Sequence, residues 1–333
     1  MRPLAFQLLR ELSHERFVSG TRLAEKFGVS RSTVSDALHD ASEAGVDIFS
    51  LTRRGYRLAQ PVELLSLERI RKQLGAVANR LDADLVECSA STNSELMQRA
   101  TAGAPSGACL VAEIQTAGRG RRGRVWQSAF GASLTFSLLW RFEKGAAQLG
   151  GLSLVVGLAV VRALHQLGIG PNVVALKWPN DVVAGPRKLA GILIESQGDM
   201  LGPTAVVIGI GINVNLPEHL KAAIDQPVTD VQSLAGRTMS RNQLLAAVLR
   251  ELVGMLDQFQ AKGFPAFRKE WTAVHALHEK PVRVLTGDGG VTGGVIDAVV
   301  RDVADDGSLI VTHLGRDIIL ASGEVSLRGL KNG

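Results

Sequence analysis

The chain has 333 residues, so length alone points to about two or three domains rather than one small core. Apolar residues make up 46% and charged residues 21%, a balance that excludes an intrinsically disordered chain. The net charge of +5 suits nucleotide or nucleic acid without requiring either, and Cys88 and Cys109 lie in no CxxC or Cys/His cluster, which argues against a disulfide framework or a thiolate metal site.

Residues 1–20 contain no continuous apolar run of the signal-peptide kind. The longest apolar stretch, 152–164, includes Ser153 and Arg162 and is too short to span a bilayer. The expected setting is the cytoplasm, with no membrane partner. Leu4, Leu8, Leu9 and Leu12 recur at helical spacing. A second helix is expected over 21–28, and Ser30 is a candidate N-cap for a third over 31–43. Two short helices around a Gly-containing turn are the helix-turn-helix pattern, and the alternating runs 47–51 and 55–58 add a wing. Arg31, Ser32, Thr33 and Ser35 are then candidates for the major groove, and Arg53 and Arg54 for phosphate contacts. With nine Lys/Arg against seven Asp/Glu through residue 60, the unit is only slightly basic, and a protein-contact role stays open.

Residues 60–62 read as a linker, and Ser66 as the cap of a helix over 67–81. Strands are expected over 108–114, 132–140 and 205–212, with a strand-like run at 172–176. An apolar helix is expected over 151–167, and Ser240-x-x-Gln243 is a capping box that opens another. Beyond residue 279, strands at 281–285, 293–296, 308–312 and 318–320, separated by turns such as 287–290, suggest a small SH3-like β-barrel. The division expected is 1–62, 66–276 and 279–333. The fold class is α+β, multidomain.

Four runs carry chemistry. Gly118-Arg-Gly-Arg-Arg-Gly-Arg124 alternates glycine and arginine just after a strand, with Trp126 beside it. Its backbone can reach a phosphate, and its guanidinium groups suit phosphate or carboxylate; alone, it also fits an RG-type nucleic-acid segment or a solvated loop. In Lys177-Trp-Pro-Asn-Asp181, Lys177 suits a phosphate and Asp181 a Mg²⁺ ion, although an ordinary Pro-Asn turn fits as well. Lys188-Leu-Ala-Gly-Ile-Leu-Ile-Glu195 opens a strand with a lysine, either a snorkelling edge residue or a cation for developing negative charge. Glycines in the apolar run Gly209-Ile-Gly-Ile-Asn-Val-Asn215 suggest close approach of a ligand or another backbone. No Rossmann or P-loop fingerprint is present.

Taken in order, Ser91-Thr-Asn93, Gln115 and these four runs resemble the biotin–protein ligase family. The winged helix and Gly323-Glu-Val-Ser-Leu-Arg328 match its bifunctional ligase–repressor type, so the resemblance covers essentially the whole chain. It implies a central α/β domain of the class II synthetase/biotin ligase type with a mixed sheet. It implies formation of biotinyl-5′-AMP from biotin and ATP with Mg²⁺, then transfer of biotin to a lysine of the biotin carboxyl carrier protein of acetyl-CoA carboxylase. Repression of biotin genes would follow from operator DNA bound by a homodimer that forms with the adenylate.

By resemblance, Ser91, Thr92, Asn93, Gln115, Arg119, Gly120, Arg121 and Lys188 hold biotin. Lys188, Arg119 and Arg121 act in catalysis. Arg121, Arg124, Trp126, Lys177, Asn180, Gly211, Asn213 and Arg328 serve ATP or the adenylate, with Glu324 nearby and Asp181 on Mg²⁺. Two positions depart from the family pattern: Ala190 stands at a usual glycine, and residues 216–232 contain no aromatic residue. Leu216, Pro217 or Leu220 would therefore have to cover the adenine. A biotin sensor without ligase activity and a lipoate–protein ligase are the alternatives.

Overall fold

The computed structural model of the chain describes residues 2–198, 202–286, 294–321 and the backbone of 325–329. The expected turn at 287–290, Gly293, Glu324 and the side chain of Arg328 lie outside these described residues.

The N-terminal unit comprises α1 (Pro3–Glu11), α2 (Gly20–Phe27), α3 (Arg31–Glu43) and the antiparallel hairpin β1 (Ile48–Leu51) and β2 (Gly55–Leu58). Gly28 ends α2 in the left-handed region, at φ 63°. Ser30 then caps α3, its hydroxyl accepting from Thr33 N at 3.1 Å. Val34, Ala37, Leu38 and Ala41 repeat at helical spacing and bury against Leu8 and Leu23. The expected winged helix-turn-helix is present.

The central elements are α4 (Leu67–Leu74), β3 (Asp82–Ser89), α5 (Thr92–Thr101), β4 (Ala108–Gln115), β5 (Ser133–Phe142), α6 (Leu152–Gln166), β6 (Ala175–Lys177), β7 (Asp181–Ala184), β8 (Arg187–Gly198) and β9 (Thr204–Asn213). They are followed by α7 (Glu218–Ala223), α8 (Val231–Ala235), α9 (Arg241–Lys262) and α10 (Pro265–Ala273). Seven strands form one mixed sheet in the order β3-β4-β5-β9-β8-β7-β6, with only β3 and β4 parallel. The helix expected over 67–81 stops at Leu74, because Gly75 takes φ 59° and ψ −133°; a 3-10 turn follows. The strand expected at 172–176 is shorter and later, since Asn172 has φ 69°.

Alternation along β9 gives the sheet two different faces. Val206, Ile208, Ile210 and Ile212 join the main core with α6 and α9. Val207 meets Leu96 of α5 on the opposite face, where Gly209 and Gly211 also lie.

The C-terminal unit is an antiparallel sheet of β10 (Pro281–Thr286), β11 (Val295–Val303), β12 (Leu309–His313), β13 (Arg316–Leu320) and β14 (Val325–Gly329), in the order β13-β12-β11-β10-β14. The strand expected at 293–296 runs on to Val303. This unit is fastened to the central one. Trp178 Nε1 donates to the Gly307 carbonyl at 3.0 Å, and Arg268 pairs with Asp302 at 2.6 Å.

The residues that follow the expected linker, 63–65, are pinned to the central unit. The fully buried Arg241 guanidinium reaches the Glu63 carbonyl, the Ser133 carbonyl and Glu113, the last at 2.7 Å. Glu113 Oε1 accepts from Leu65 N at 2.6 Å. Glu63 takes part in capping α9: its carboxylate accepts from Arg241 N at 2.6 Å and from Ser240 Oγ at 2.9 Å. The Ser240 hydroxyl also accepts from Gln243 N at 3.2 Å, one half of the expected capping box, and Glu63 satisfies the Arg241 amide beside it. Phe6 of α1 meets Phe130 edge to face at 5.7 Å, and Arg10 reaches Glu87 at 3.1 Å.

Arg241→Met leaves the Glu113 charge buried without its partner and should cost about 3–5 kcal/mol in urea unfolding. The double change Glu113→Leu/Arg241→Met should recover much of that loss, because an apolar pair of similar volume removes both desolvated charges.

Candidate functional site

The mouth of the cleft lies on the glycine face of the sheet. It is lined by Ser91, Thr92, Asn93, Gln115, Arg119, Gly120, Arg121, Arg124, Trp126, Lys177, Asn180, Asp181, Lys188 and Gly211. Every central residue expected of the site is therefore brought together except Asn213, whose side chain is buried elsewhere. Asn213 Nδ2 donates to the Thr229 carbonyl at 3.1 Å and to the Lys188 carbonyl at 3.4 Å. It tethers the strap 227–229 to the lysine's own backbone, and that strap also bonds Lys188 N from the Pro227 carbonyl at 2.9 Å.

One end of the cleft is neutral and polar. Ser91 caps α5, accepting from Ser94 N at 3.4 Å, and so aims the first turn of the helix at the cleft. Gln115 Oε1 accepts from Thr92 N at 2.7 Å, and Thr92 Oγ1 meets Ser137 Oγ at 2.7 Å. The strand backbone at Phe136, Ile192 and Ile210 also lines it, their side chains being packed into the core on the other face of the sheet.

The other end is cationic. Lys188 Nζ lies 2.7 Å from Asp181 Oδ1 and 5.8 Å from the centre of the Trp126 ring. Arg121 Nη1 donates to Asn180 Oδ1 at 3.3 Å, and Asn180 Nδ2 to the Ile192 carbonyl at 2.8 Å. The Arg121 pKa is pulled below its ordinary value by burial, then by Arg122, with Asp181 opposing and Arg124 adding to the effect. An anion placed here relieves that crowding of positive charge. Trp126 Nε1 is buried with no hydrogen-bond partner among the described residues, a donor available to a ligand.

The glycines of the GIG run make room for side chains. A Cβ on Gly211 would sit 2.3 Å from Trp126 Cε2, and one on Gly209 would sit 2.1 Å from Asn93 Oδ1. Gly191, across from Gly211 on β8, faces the same indole and Lys188. Close approach was legible in the sequence, but not that an indole and an amide do the approaching.

Asp181 is the one carboxylate among the described residues that line the cleft. The described residues hold no cluster of three His, Cys, Asp or Glu that could ligate a metal. Asp181 is the lining carboxylate that could contribute a ligand to a cation such as Mg²⁺.

Sequence reasoning missed Gln226, which lines the cleft, and Glu195, which bonds Arg119 and Asn93 just behind it. Of the residues expected to stand in for the missing aromatic, Leu216 is buried, at 3% exposure, and does not line the cleft. Gln226 is the residue of that segment at the cleft, and an isolated glutamine in a loop carries no signal of it.

On the N-terminal unit, Arg31, Ser32 and Ser35 are exposed along α3, while Thr33 is half-buried against the Ser30 cap, its hydroxyl 2.8 Å from Ser30 Oγ. Arg53 and Arg54 are exposed at the wing turn, Arg54 lying over the Phe17 ring at 5.1 Å.

Residues 85–213 match the biotin/lipoate A/B protein ligase family, and residues 5–57 match a helix-turn-helix domain. The chain is 36% identical to the bifunctional ligase/repressor BirA of Escherichia coli, over 97% of this chain and 96% of that one. It is also 36% identical to the biotin–[acetyl-CoA-carboxylase] ligase of Mycobacterium tuberculosis, over 81% of this chain and 97% of that protein. The structure of the biotin protein ligase from Aquifex aeolicus in complex with biotin and ATP aligns with 75% of this chain and 99% of its own, at 30% identity and a TM-score of 0.64.

Gly211→Ala should drive the indole from its seat, costing about 1–3 kcal/mol in stability. Thermal unfolding checks this, and quenching of indole emission by iodide should rise as Trp126 is expelled.

Proposed function

This chain belongs to the biotin/lipoate A/B protein ligase family, in its bifunctional ligase/repressor branch, and from that membership we propose how its cleft carries out the reaction. The protein is a biotin–protein ligase that carries a helix-turn-helix repressor domain. The observation that supports the assignment of roles is the joining of a neutral polar end at Thr92 and Gln115 to a cationic end at Lys188 and Arg121.

Biotin places its ureido ring against Thr92, Asn93 and Gln115, with Ser91 at the helix cap and the rest of the molecule over the strand backbone at Phe136 and Ile192. Its carboxylate then points to Lys188. ATP lies beyond it, over the Trp126 and Gly211 floor, with phosphates toward Arg121, Arg124, Lys177 and Asn180. Asp181 would hold a Mg²⁺ ion brought with the nucleotide, which would supply charge neutralisation at the phosphates.

Carboxylate attack on the α-phosphorus forms the mixed anhydride and breaks the bond to pyrophosphate. Both reactants are anions, so Lys188 and Arg121 must neutralise the charge that gathers between them. Asp181, 2.7 Å away, keeps the Lys188 ammonium aimed into the cleft. The loop carrying Arg119, Gly120 and Arg121 screens the anhydride from water. The amine of a carrier-protein lysine next attacks the acyl carbon, and AMP departs.

The division of labour follows the three units, 1–62, 66–276 and 279–333. The last, an SH3-like unit, buttresses Trp178, and the family pattern assigns its Arg328 to the nucleotide. Two adenylate-bound copies pair, and their two α3 helices read a two-fold operator, with Arg31, Ser32, Thr33 and Ser35 toward bases and Arg53 and Arg54 on phosphates. Biotin carboxyl carrier protein of acetyl-CoA carboxylase is the acceptor. No helix among the described residues is long and apolar enough to cross a membrane.

Biotin should be transferred to a carrier domain only with ATP and Mg²⁺, and lipoate should not replace it; adenylation of lipoate alone would overturn the biotin assignment. Lys188→Ala should fold normally and lose about 10²–10³ in the rate of pyrophosphate release. Arg53→Ala/Arg54→Ala should weaken operator binding at every sequence tested and lower the salt slope by about two, with biotinylation unchanged.

A further inference from the structure

Glu195 closes the KLAGILIE run on β8, and its two carboxylate oxygens are divided between two parts of the site. Oε1 pairs with the Arg119 guanidinium of the arginine loop, and Oε2 accepts from Asn93 Nδ2 at 3.0 Å. Arg119 Nη1 also donates to Ser94 Oγ at 2.9 Å, so the loop is held to β8 and to α5 at once.

The contacts continue inward. Asn93 Oδ1 accepts from Ser137 Oγ at 2.6 Å, Ser137 Oγ meets Thr92 Oγ1 at 2.7 Å, and Gln115 Oε1 accepts from Thr92 N at 2.7 Å. Asn93, Ser137 and Thr92 are each less than 5% exposed, so these groups answer to one another rather than to water.

An ionised carboxylate can only accept. Glu195 therefore takes the NH₂ of Asn93 and turns its Oδ1 toward Ser137. The Ser137 hydroxyl hydrogen goes to Asn93, so the one Thr92 hydroxyl hydrogen is shared between Ser137 Oγ and Gln115 Oε1, the latter 3.1 Å away. Thr92 is left to accept, and the Gln115 NH₂ is left to donate. Acceptor beside donor is the complement of a cyclic urea, which has N–H beside C=O. Asn93 has no room to move, because it packs directly on Gly209.

We propose that Glu195 is a positioning residue of the ligase: through Arg119 it latches the arginine loop over the cleft, and through Asn93 it sets which groups of the biotin wall donate and which accept. The wall half rests on the biotin reading; the latch half stands on the contacts alone.

Glu195→Gln in the full chain keeps the shape but adds a donor. Trypsin cleavage of the ligand-free protein, mapped at Arg119, Arg121, Arg122 and Arg124, should speed up several-fold. The KM for biotin should rise about tenfold, as for a lost charge-assisted hydrogen bond. The KM for ATP should stay within about twofold, and release of the adenylate should quicken. Ser94→Ala loosens Arg119 without touching Asn93, so loop cleavage should rise while the KM for biotin stays near that of the parent.

Parent-like loop cleavage and KM in Glu195→Gln would overturn the proposal. So would an equal rise in both KM values with a lowered Tm, the mark of general damage. If the parent makes no biotinyl-adenylate, the biotin reading fails, and the cleavage comparison still decides the latch.

Discussion

The middle strand of the sheet has to serve two faces at once. On β9, Val206, Ile208, Ile210 and Ile212 complete the core under α6 and α9, and their burial holds the sheet against its helices. The intervening Gly209 and Gly211 leave the opposite face without side chains, where Asn93 and Trp126 enter. Filling both faces would give a sandwiched sheet and no cleft. The mixed sheet, the position of α5 and the direction of the arginine loop all follow from one face being packed and the other vacated.

Into that vacated space the chain gathers cations that do not repel one another apart, because each is held by something else. Asp181 holds Lys188, Asn180 holds Arg121, and Glu195 holds Arg119. In the proposed reading, two anionic reactants neutralise the excess of positive charge over Asp181, the one lining carboxylate among the described residues. The proposed biotin wall at Thr92 and Gln115 offers shape and hydrogen bonds rather than charge, so on that reading one cleft sorts the two substrates by their chemistry.

The DNA-binding unit is joined to this cleft by more than a tether. Glu113 lies on the same strand as Gln115, and it holds Leu65 and Arg241, which in turn binds Glu63, just past the linker. Gln115 exchanges hydrogen bonds with Ser128, each at 3.0 Å, two residues before the Phe130 that packs on Phe6. The cleft wall and the seat of the winged helix thus share a continuous set of contacts.

Much of this was legible in the chain itself. Periodicity and caps placed α3 to the residue, and GRGRRGR, KWPND, KLAGILIE and GIGINVN named most of the cleft, because short-range patterns are local physics. Gly75, Asn172 and the long β11 were misplaced, since a backbone in the left-handed region or a strand edge is chosen by its surroundings. Glu195, Gln226 and the Glu113–Arg241 clamp were not legible at all: their partners lie far away in sequence, and only the folded sheet brings a carboxylate to the one guanidinium or amide that gives it a role. The sequence by itself determined the elements, the faces and the family; tertiary structure decided which of its charges would meet.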